Sequence, residues 1–546
     1  MNRNFLCFLV LNIYATANSQ VDLDPVTVVS SPASKVSSET GRNIITVKGE
    51  SFAKLPVNSL DELLRYIPGV EVQQRGPQGA QADILLRGGT FQQVLIILDG
   101  IRINDPLTGH FNSYIPITPG EIDRIEILKG TASAIYGSDA VGGVIHIISK
   151  TFAGKKSKSA AAKISAGEYG MMNAAASGYY HKGNTSLSAG VLTNNSKGVQ
   201  QRGIRGYFHN TTASASFRQQ IKLWSVAVQS SYDKRDFAAQ NFYTVFASDT
   251  ATEDVSTWWN HLQVKFDSKV GKFSFDAGYK TVNDHYVFNP RAAANDNKSA
   301  TMQGLLLYTR QVSKKLKVTA GSQYLRRWIG SNDRGNHTVD DAAIFLLAEQ
   351  KIGQHIFIQP SLRYDRGLVP QLNFAYNKHN WVLRAAAGKA VRDADFTEQY
   401  NNYGKQLVSS GNIGNENLER ERSWNFEAGG DYFLGSRLKH SATLFTKQYS
   451  NLIDWVPTIY INMPRKDNLS PVGNYYLASN VSSLRTQGTE LDEILKLNKL
   501  ERDGWIYFSE QFTNKFLIYS VPCEFSFYLF TQFPVQVFRD FNNGAL

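Results

Sequence analysis

The sequence predicts an exported, antiparallel membrane β-barrel preceded by a small N-terminal α/β domain, and three observations carry that prediction. The first residues have the form of a secretory signal peptide. Residues 50–150 crowd short apolar runs against tight glycine and Asp-Gly turns. From Thr151 onward the chain repeats segments of about ten residues in which polar and apolar side chains alternate.

The leader comes first. Arg3 precedes the apolar run Phe5 to Tyr14, and the small residues Ala15-Thr16-Ala17-Asn18-Ser19 follow. A basic flank, a short apolar stretch and small residues suit cleavage near Ala17 or Ser19, so residues 1–19 are expected to be removed. The run is too short to span a bilayer. Cys7 leaves with it, and Cys523 alone remains, so the mature chain has no internal disulfide partner. No later stretch has the long uncharged run of a transmembrane helix, which leaves the alternating segments to explain the abundant Tyr and Phe.

Residues 20–49 are rich in Ser, Thr and Val without helical period and read as an extended, mobile leader. Within it, Asp24-Pro25-Val26-Thr27-Val28-Val29 suits β-augmentation, in which a β-branched strand pairs with the sheet edge of a partner. A helix is expected over 60–66, capped by Ser59 and stopped by Pro68-Gly69. Beyond Thr151, Trp224, Val226 and Val228 alternate with Ser225, Ala227 and Gln229, and Phe273, Phe275 and Tyr279 with Ser274, Asp276 and Lys280. A soluble sandwich would break into domains over such a length, whereas a barrel with a polar lumen and an apolar outer face continues.

The formal charge of +11 raises nucleic acid as a partner. Lys and Arg are scattered rather than striped and no nucleic-acid motif appears, so the charge reads as basic loops and lumen. No spaced zinc cluster, nucleophile elbow or phosphate loop occurs, and no enzyme activity is expected.

Five elements stand in order: Leu63 to Val70, Ile84 to Gly89 (Ile-Leu-Leu-Arg-Gly-Gly), Val94 to Gly100 (Val-Leu-Ile-Ile-Leu-Asp-Gly), Ile122 to Gly130 and Tyr136 to Ile148. Together they closely resemble the plug domain of TonB-dependent outer-membrane transporters. Arg384 to Tyr400, Gly414 to Gly429, Asn480-Val481 and Arg485 to Leu491 resemble barrel segments of the same family, so the likeness runs from about 24 to about 492. It implies a plug at 50–150 inside the lumen of a barrel starting at 151, of about 22 strands when complete. It also implies a monomer among the lipids of a Gram-negative outer membrane. The leader segment would engage TonB and its inner-membrane energising complex, and the cargo would be a large, scarce small-molecule ligand.

Two plug loops would face the extracellular mouth. Gln73, Gln74, Arg75 and Gln78 in one, and Arg102, Asn104, Asp105, His110 and Asn112 in the other, offer hydrogen bonds to a large polar ligand. Asn104-Asp105-Pro106 is equally a turn sequence. The plug, together with Ser231 to Tyr243 and Ser331 to His337, is most similar to the vitamin B12 receptor branch, with a ferric siderophore as the alternative ligand. A passive surface-binding barrel is the rival from another class. The resemblance further implies ion pairs between Arg87 and Lys129 of the plug and Glu427 and Glu490 of the barrel. Lys129 stands where an arginine is common, which removes a bidentate donor. No cofactor is expected; calcium is the one candidate, through Asp233 and Asp236.

The likeness stops at Glu493. Residues 492–503 are charged and read as helical, and residues 516–541 are dense in Phe and Tyr without clean alternation. Residues 493–546 are therefore expected to be atypical, through a frameshift, truncation or misjoined frame, or else as divergent final strands. The structural expectation is low order or a gap after about 493 and an incomplete, non-functional barrel.

Overall fold

The computed structural model describes residues 26–27, 35–52, 55, 57–67, 69–76, 79–201, 203–244, 246–435, 438–499, 502–518, 530–532 and 535–537. Its N-terminal part comprises β1 (Val26–Thr27), β2 (Lys35–Val36), β3 (Ile44–Lys48), α1 (Gly49–Phe52), α2 (Leu60–Leu64), β4 (Val70–Arg75), β5 (Gln81–Leu86), β6 (Val94–Leu98), β7 (Ile101–Arg102), β8 (Ile122–Lys129), α3 (Ser133–Tyr136), β9 (Gly143–Ser149) and α4 (Lys150–Ala153).

Five of these strands form one sheet in the order β3-β8-β9-β6-β7, in which β6 and β9 run parallel. Every residue of β6 and β9 is buried, as their unbroken apolar runs require of strands covered on both faces. Leu63, Ile67, Ile96, Ile125 and Ile145 share a core with Trp259, which belongs to the barrel wall. A barrel side chain in the core of this domain places the domain in the lumen. The Ser59 side chain accepts the Glu62 amide at the start of α2, which ends at Leu64, two residues short of the expected helix.

The leader differs from expectation in its second half. Ser37, Ser38, Thr40, Arg42 and Asn43 are buried and β3 is an edge strand of the plug sheet, so the plug begins well before residue 50. The β-branched Ile44-Ile45-Thr46-Val47 run, read as mobile, instead completes a sheet edge against β8.

Asp99 and Gly100 turn the chain between β6 and β7 with positive φ values of 52° and 101°, the geometry that favours Asn-Gly and Asp-Gly. The Asp99 carboxylate accepts the Ser149 amide at 2.8 Å, and burial pushes its pKa up to about 6 against the lowering effect of that bond. A carboxyl raised in the fold contributes stability below its unfolded value and loses it as pH climbs through about 6, on the order of 1–3 kcal/mol. Asp99→Asn keeps both the acceptor and the turn. We expect the Ser149 amide to exchange faster in the parent protein as pH rises through this window, after correction for intrinsic rates, and to stay flat in the variant. Equal pH dependence in both would contradict the assignment.

The barrel follows as β10 (Ser159–Gly167), β11 (Met171–Lys182), β12 (Thr185–Ser196), a loop hairpin of β13 (Gln200–Gln201) and β14 (Ile204–Arg205), β15 (Phe208–Ile221), β16 (Trp224–Ala238), β17 (Thr252–Asp267), β18 (Lys272–Val287), β19 (Asn295–Ser313), β20 (Leu316–Ser331) and β21 (Gly335–Ile352). It continues as β22 (Ile356–Tyr364), β23 (Leu368–Lys378), β24 (Trp381–Arg392), α5 (Phe396–Tyr400), β25 (Val408–Ile413), β26 (Glu421–Leu434), β27 (Leu438–Ile459), β28 (Leu469–Lys499) and β29 (Arg502–Ile518). Without β13 and β14, and with two short segments after β29, these strands make a 20-stranded sheet among the described residues, antiparallel there except where β25 lies parallel to β28. Among the described residues β10 pairs only with β11.

Along β17, Glu253, Val255, Thr257, Trp259 and His261 are buried against the plug, while Trp258 and Leu262 point outward. Outward aromatic pairs Trp224–Phe266, Phe273–Tyr308 and Trp381–Tyr432, at 4.5–4.6 Å, line the end where the strand connections are short turns. Tyr232–Trp258 and Tyr279–Trp328 sit farther up the outer face. Apolar bands edged by aromatic residues fit a bilayer, with short turns on the periplasmic side and long loops outside.

The region beyond Glu493 corrects the sequence reading. The described part of 492–503 is strand, not helix: β28 runs on to Lys499 and β29 pairs with it in continuous register from Lys499↔Arg502 to Ser483↔Ile518. Glu, Lys and Leu are strong helix formers, which disguised the alternation of buried Glu490 and Asp492 with exposed Leu491 and Glu493. There is no gap at 493, while residues 519–529, 533–534 and 538–546 of the region expected to be of low order lie outside the described residues.

Candidate functional site

Two features of the plug carry the chemistry: a charged seam against β26 and β28, and a polar apex toward the long loops.

The seam is built on the turn after β5. Arg87 sits there at φ 49° and enters the wall with its whole guanidinium buried. Its Nε and Nη2 donate to the two Glu490 oxygens at 3.1 and 2.7 Å, and its Nη1 donates to Glu427 at 2.6 Å. Arg42 lies 3.0 Å from the other Glu427 oxygen and donates to the carbonyls of Thr131 and Lys129 at 2.6 and 3.0 Å. Lys129 Nζ stands 3.6 Å from Glu490 and 3.8 Å from Asp492, too far for good hydrogen bonds, so it contributes charge. The four residues named from the sequence are therefore together. Arg42, Asp492 and Asn43, whose amide donates to Glu490 at 3.3 Å, were missed. Asp492 was readable, since two residues from Glu490 on a strand means the same face; Arg42 had no motif to mark it.

Gly130 makes this packing feasible. Its φ is +86°, and a Cβ there would stand 2.8 Å from Glu427, 2.9 Å from Arg87 and 3.0 Å from Arg42. Burial lowers the Arg87 pKa, but Glu490 and Glu427 outweigh it and hold the guanidinium firmly charged; for Arg42 burial wins and the pKa falls. Such a network costs desolvation and therefore supplies specificity of docking more than net stability.

At the apex, Asp83 of β5 joins both sequence-predicted loops. Arg75 Nε donates to one carboxylate oxygen at 2.9 Å and His110 Nδ1 meets the other at 2.7 Å. Burial pushes the Asp83 carboxyl up, yet His110 and Arg75 hold it below the usual range. His110 stacks on Phe91 at 4.1 Å and lies 5.7 Å from Tyr243 of the loop after β16. Tyr243 accepts from Gln81 at 2.8 Å and donates to Glu253 at 2.9 Å. Gln73 is exposed, Gln74 accepts from Arg65 at 3.2 Å, and Gln78 lies outside the described residues. Arg102 pairs with Asp139 inside the plug.

Three predicted ligand contacts are instead structural. Asn104 bonds the Ile96 amide and the Val94 carbonyl at 2.8 and 2.9 Å. Asp105 accepts from the Leu107 amide at 2.9 Å and Ser299 at 3.0 Å and pairs with Lys280 at 3.3 Å. Asn112 accepts the Asp105 amide at 3.0 Å. The turn reading prevails for these, because all three side chains are buried and spent on loop and wall.

An outer loop closes on this apex. The Phe396 and Thr397 amides of α5 donate to the Pro106 and Leu107 carbonyls at 2.9 and 3.1 Å. Asp395 caps α5, and burial together with the neighbouring Glu398 pushes its pKa up to about 8. His337 stacks on Tyr400 at 3.5 Å. Behind it, buried Arg392 bridges Glu398 and Glu421, and Glu421 accepts from Gln93 of the plug at 3.0 Å, a second link invisible to motif reading.

The calcium reading fails on geometry. Asp233 and Asp236 are three apart on β16 and so face opposite sides. Asp233 is bound inside by Arg235 at 2.9 Å, and Asp236 outside by Tyr207 at 3.0 Å, so they cannot share a cation.

The TonB-coupling segment is described only at Val26 and Thr27, which pair antiparallel with Val36 and Lys35; Asp24, Pro25, Val28 and Val29 lie outside the described residues.

Comparison with known proteins agrees with this architecture. Residues 36–144 match the TonB-dependent receptor plug domain model, and residues 162–521 match the TonB-dependent receptor-like β-barrel model, past the point where the sequence likeness was expected to stop. The vitamin B12 transporter BtuB of Vibrio cholerae is 24% identical over 493 residues, covering 84% of this chain and 76% of that protein. The BtuB of Vibrio vulnificus strain CMCP6 is 35% identical over 125 residues, 23% of this chain. The ferric enterobactin receptor PfeA of Pseudomonas aeruginosa superposes with a TM-score of 0.70 at 15% identity, covering 90% of this chain and 82% of that one. The siderophore receptor PirA of the same organism gives 0.67 at 19%, covering 86% and 84%. With plug, lumen and wall in place and both family models matched, the chain belongs to the TonB-dependent receptors, transporters of large ligands in the Gram-negative outer membrane.

Proposed function

We propose that this receptor imports a cobalamin-type corrinoid, acting as a monomer energised by TonB and its inner-membrane complex. The observation that carries the reading is similarity to vitamin B12 transporters along most of the chain, 24% over 493 residues. The apex supports it: the exposed Gln73 amide, the Arg75 and His110 side chains neutralised by Asp83, and the rings of Phe91 and Tyr243 offer hydrogen bonds and stacking area to a large ligand with polar amides around an apolar body. The iron-receptor likenesses speak for the fold alone, at 15–19% identity.

Equilibrium binding of cyanocobalamin and of a ferric catecholate siderophore to the purified full-length protein tests the assignment. Saturable cyanocobalamin binding in the sub-micromolar range, about −8 kcal/mol or stronger, is the expected result. Siderophore binding without cyanocobalamin binding would transfer the receptor to iron uptake.

A further inference from the structure

The outer face of β23 to β28 is not a uniform apolar band. Register aligns its outward side chains in rows: Trp381–Tyr432–His440–Glu493 at the short-turn rim, then Leu383–Gly430–Ala442–Leu491, Ala385–Ala428–Leu444–Thr489, Ala387–Phe426–Thr446–Gln487, and Lys389–Trp424–Gln448–Arg485. Small residues in the third and fourth rows sink the surface between Leu372, Phe374 and Leu444, leaving an outward groove of about 750 Å³. From Trp381 to Lys389 is eight residues, on the order of 20 Å along the membrane normal for a strand tilted about 40°. The groove therefore lies within the hydrocarbon zone and its upper end reaches the outer interface.

That upper end is cationic. Lys389, Arg422 and Arg485 all point outward there. Lys389 donates to the Leu368 carbonyl at 3.2 Å, and the charged groups that act on it, Arg422 and Arg420, both repel. Arg422 and Arg485 have no ion-pair partner among the described residues. One row below stand Thr446 and Gln487, and below those Thr489, none with a hydrogen-bond partner among the described residues. An amide facing hydrocarbon is costly unless something bonds it.

Charge at the interface, amide and hydroxyl one step deeper, and an apolar trough below follow the profile of one kind of molecule. The geometry points to a specific site for a phosphate-bearing, acylated lipid of the outer leaflet. Its phosphate meets Arg422, Arg485 and Lys389, its linkage carbonyls and hydroxyls meet Gln487, Thr446 and Gln448, and one acyl chain fills the trough over Ala385 and Ala428. Arginine donors pair with phosphate through charge-assisted bonds. Apolar annular lipid alone would leave Arg422, Arg485 and the Gln487 amide without partners.

The test uses the full-length protein in phosphatidylcholine nanodiscs containing a minor fraction of dimyristoyl phosphatidic acid. Dimyristoylglycerol, with the same chains and ester carbonyls but no phosphate, is the comparison lipid. Native mass spectrometry counts the lipid retained after detergent release. The parent protein retains phosphatidic acid over dimyristoylglycerol, and the Arg422→Gln/Arg485→Gln double variant weakens that retention about tenfold or more. Ala428→Trp, which fills the trough and leaves the cations intact, weakens it as well. Heat-modifiable gel migration verifies that each variant is folded. Equal retention of both lipids, unchanged retention in the double variant, or occupation of the face by a second copy of the chain would each overturn the site.

Discussion

Replacing Arg87 with alanine is expected to release the plug from the barrel wall, weakening its docking by about 3–5 kcal/mol. The magnitude follows from what remains. Glu490 and Glu427 are held in the wall by three hydrogen bonds from this one guanidinium, and its removal leaves buried carboxylates facing Lys129 at 3.6 Å and Arg42 at 3.0 Å. Hydrogen exchange of the β5 and β8 amides in the folded, detergent-solubilised protein reads the effect directly. The Arg87→Ala/Glu490→Gln pair should recover part of the loss, because the second change removes the charge left unpaired. Exchange that is no faster in Arg87→Ala than in the parent would show that the seam does not hold the plug.

The seam is also placed where a pull on the leader arrives. Arg42 is the first buried charged residue after the β1–β2 pairing, and it holds Glu427 while bonding the β8 end through the Lys129 carbonyl. Strain entering at the N-terminus therefore reaches the ion pairs through β3, before it reaches the apolar strands β6 and β9. Ion pairs of this kind, once parted and wetted, are stabilised by water on both sides, so separation is easier to complete than to begin.

Much of this was legible because it rests on short-range rules. The apolar runs of β6 and β9, the Asp99-Gly100 turn and the Ser59 cap each announce themselves within a few residues. Arg87, Lys129, Glu427 and Glu490 were reachable through family likeness, since nothing local says that residues 87 and 490 will meet. Their company was not. Arg42 looked like part of a mobile leader because a lone edge strand has no period long enough to read. Asn104, Asp105 and Asn112 looked like ligand donors because amides and carboxylates serve a turn and a ligand with the same atoms; only burial decides between them. The β28–β29 hairpin was misread because residues that favour helix can still alternate faces, and the pairing partner that settles the matter lies on another strand.

Energy coupling should be separable from recognition. Val28→Pro removes a main-chain donor from the Asp24–Val29 segment and fixes its φ, so β-augmentation by TonB loses a ladder bond. Uptake in whole cells is expected to fall to the level of a strain lacking TonB, whereas ligand affinity of the purified protein stays within about twofold, since the apex around Asp83 and His110 is untouched. Val28→Ala, which keeps the donor, should transport nearly as well as the parent. Removing residues 22–30 should reproduce the proline phenotype, and a passive binding barrel would be indifferent to either change. The pairing of Val26 and Thr27 with Val36 and Lys35 adds a competitor, because the same backbone groups cannot bond β2 and a partner sheet together. Lys35→Pro, which weakens that internal pairing and leaves Asp24–Val29 intact, should therefore sustain uptake or raise it. Loss of uptake in Lys35→Pro with normal uptake in Val28→Pro would move the coupling strand from the first segment to the second.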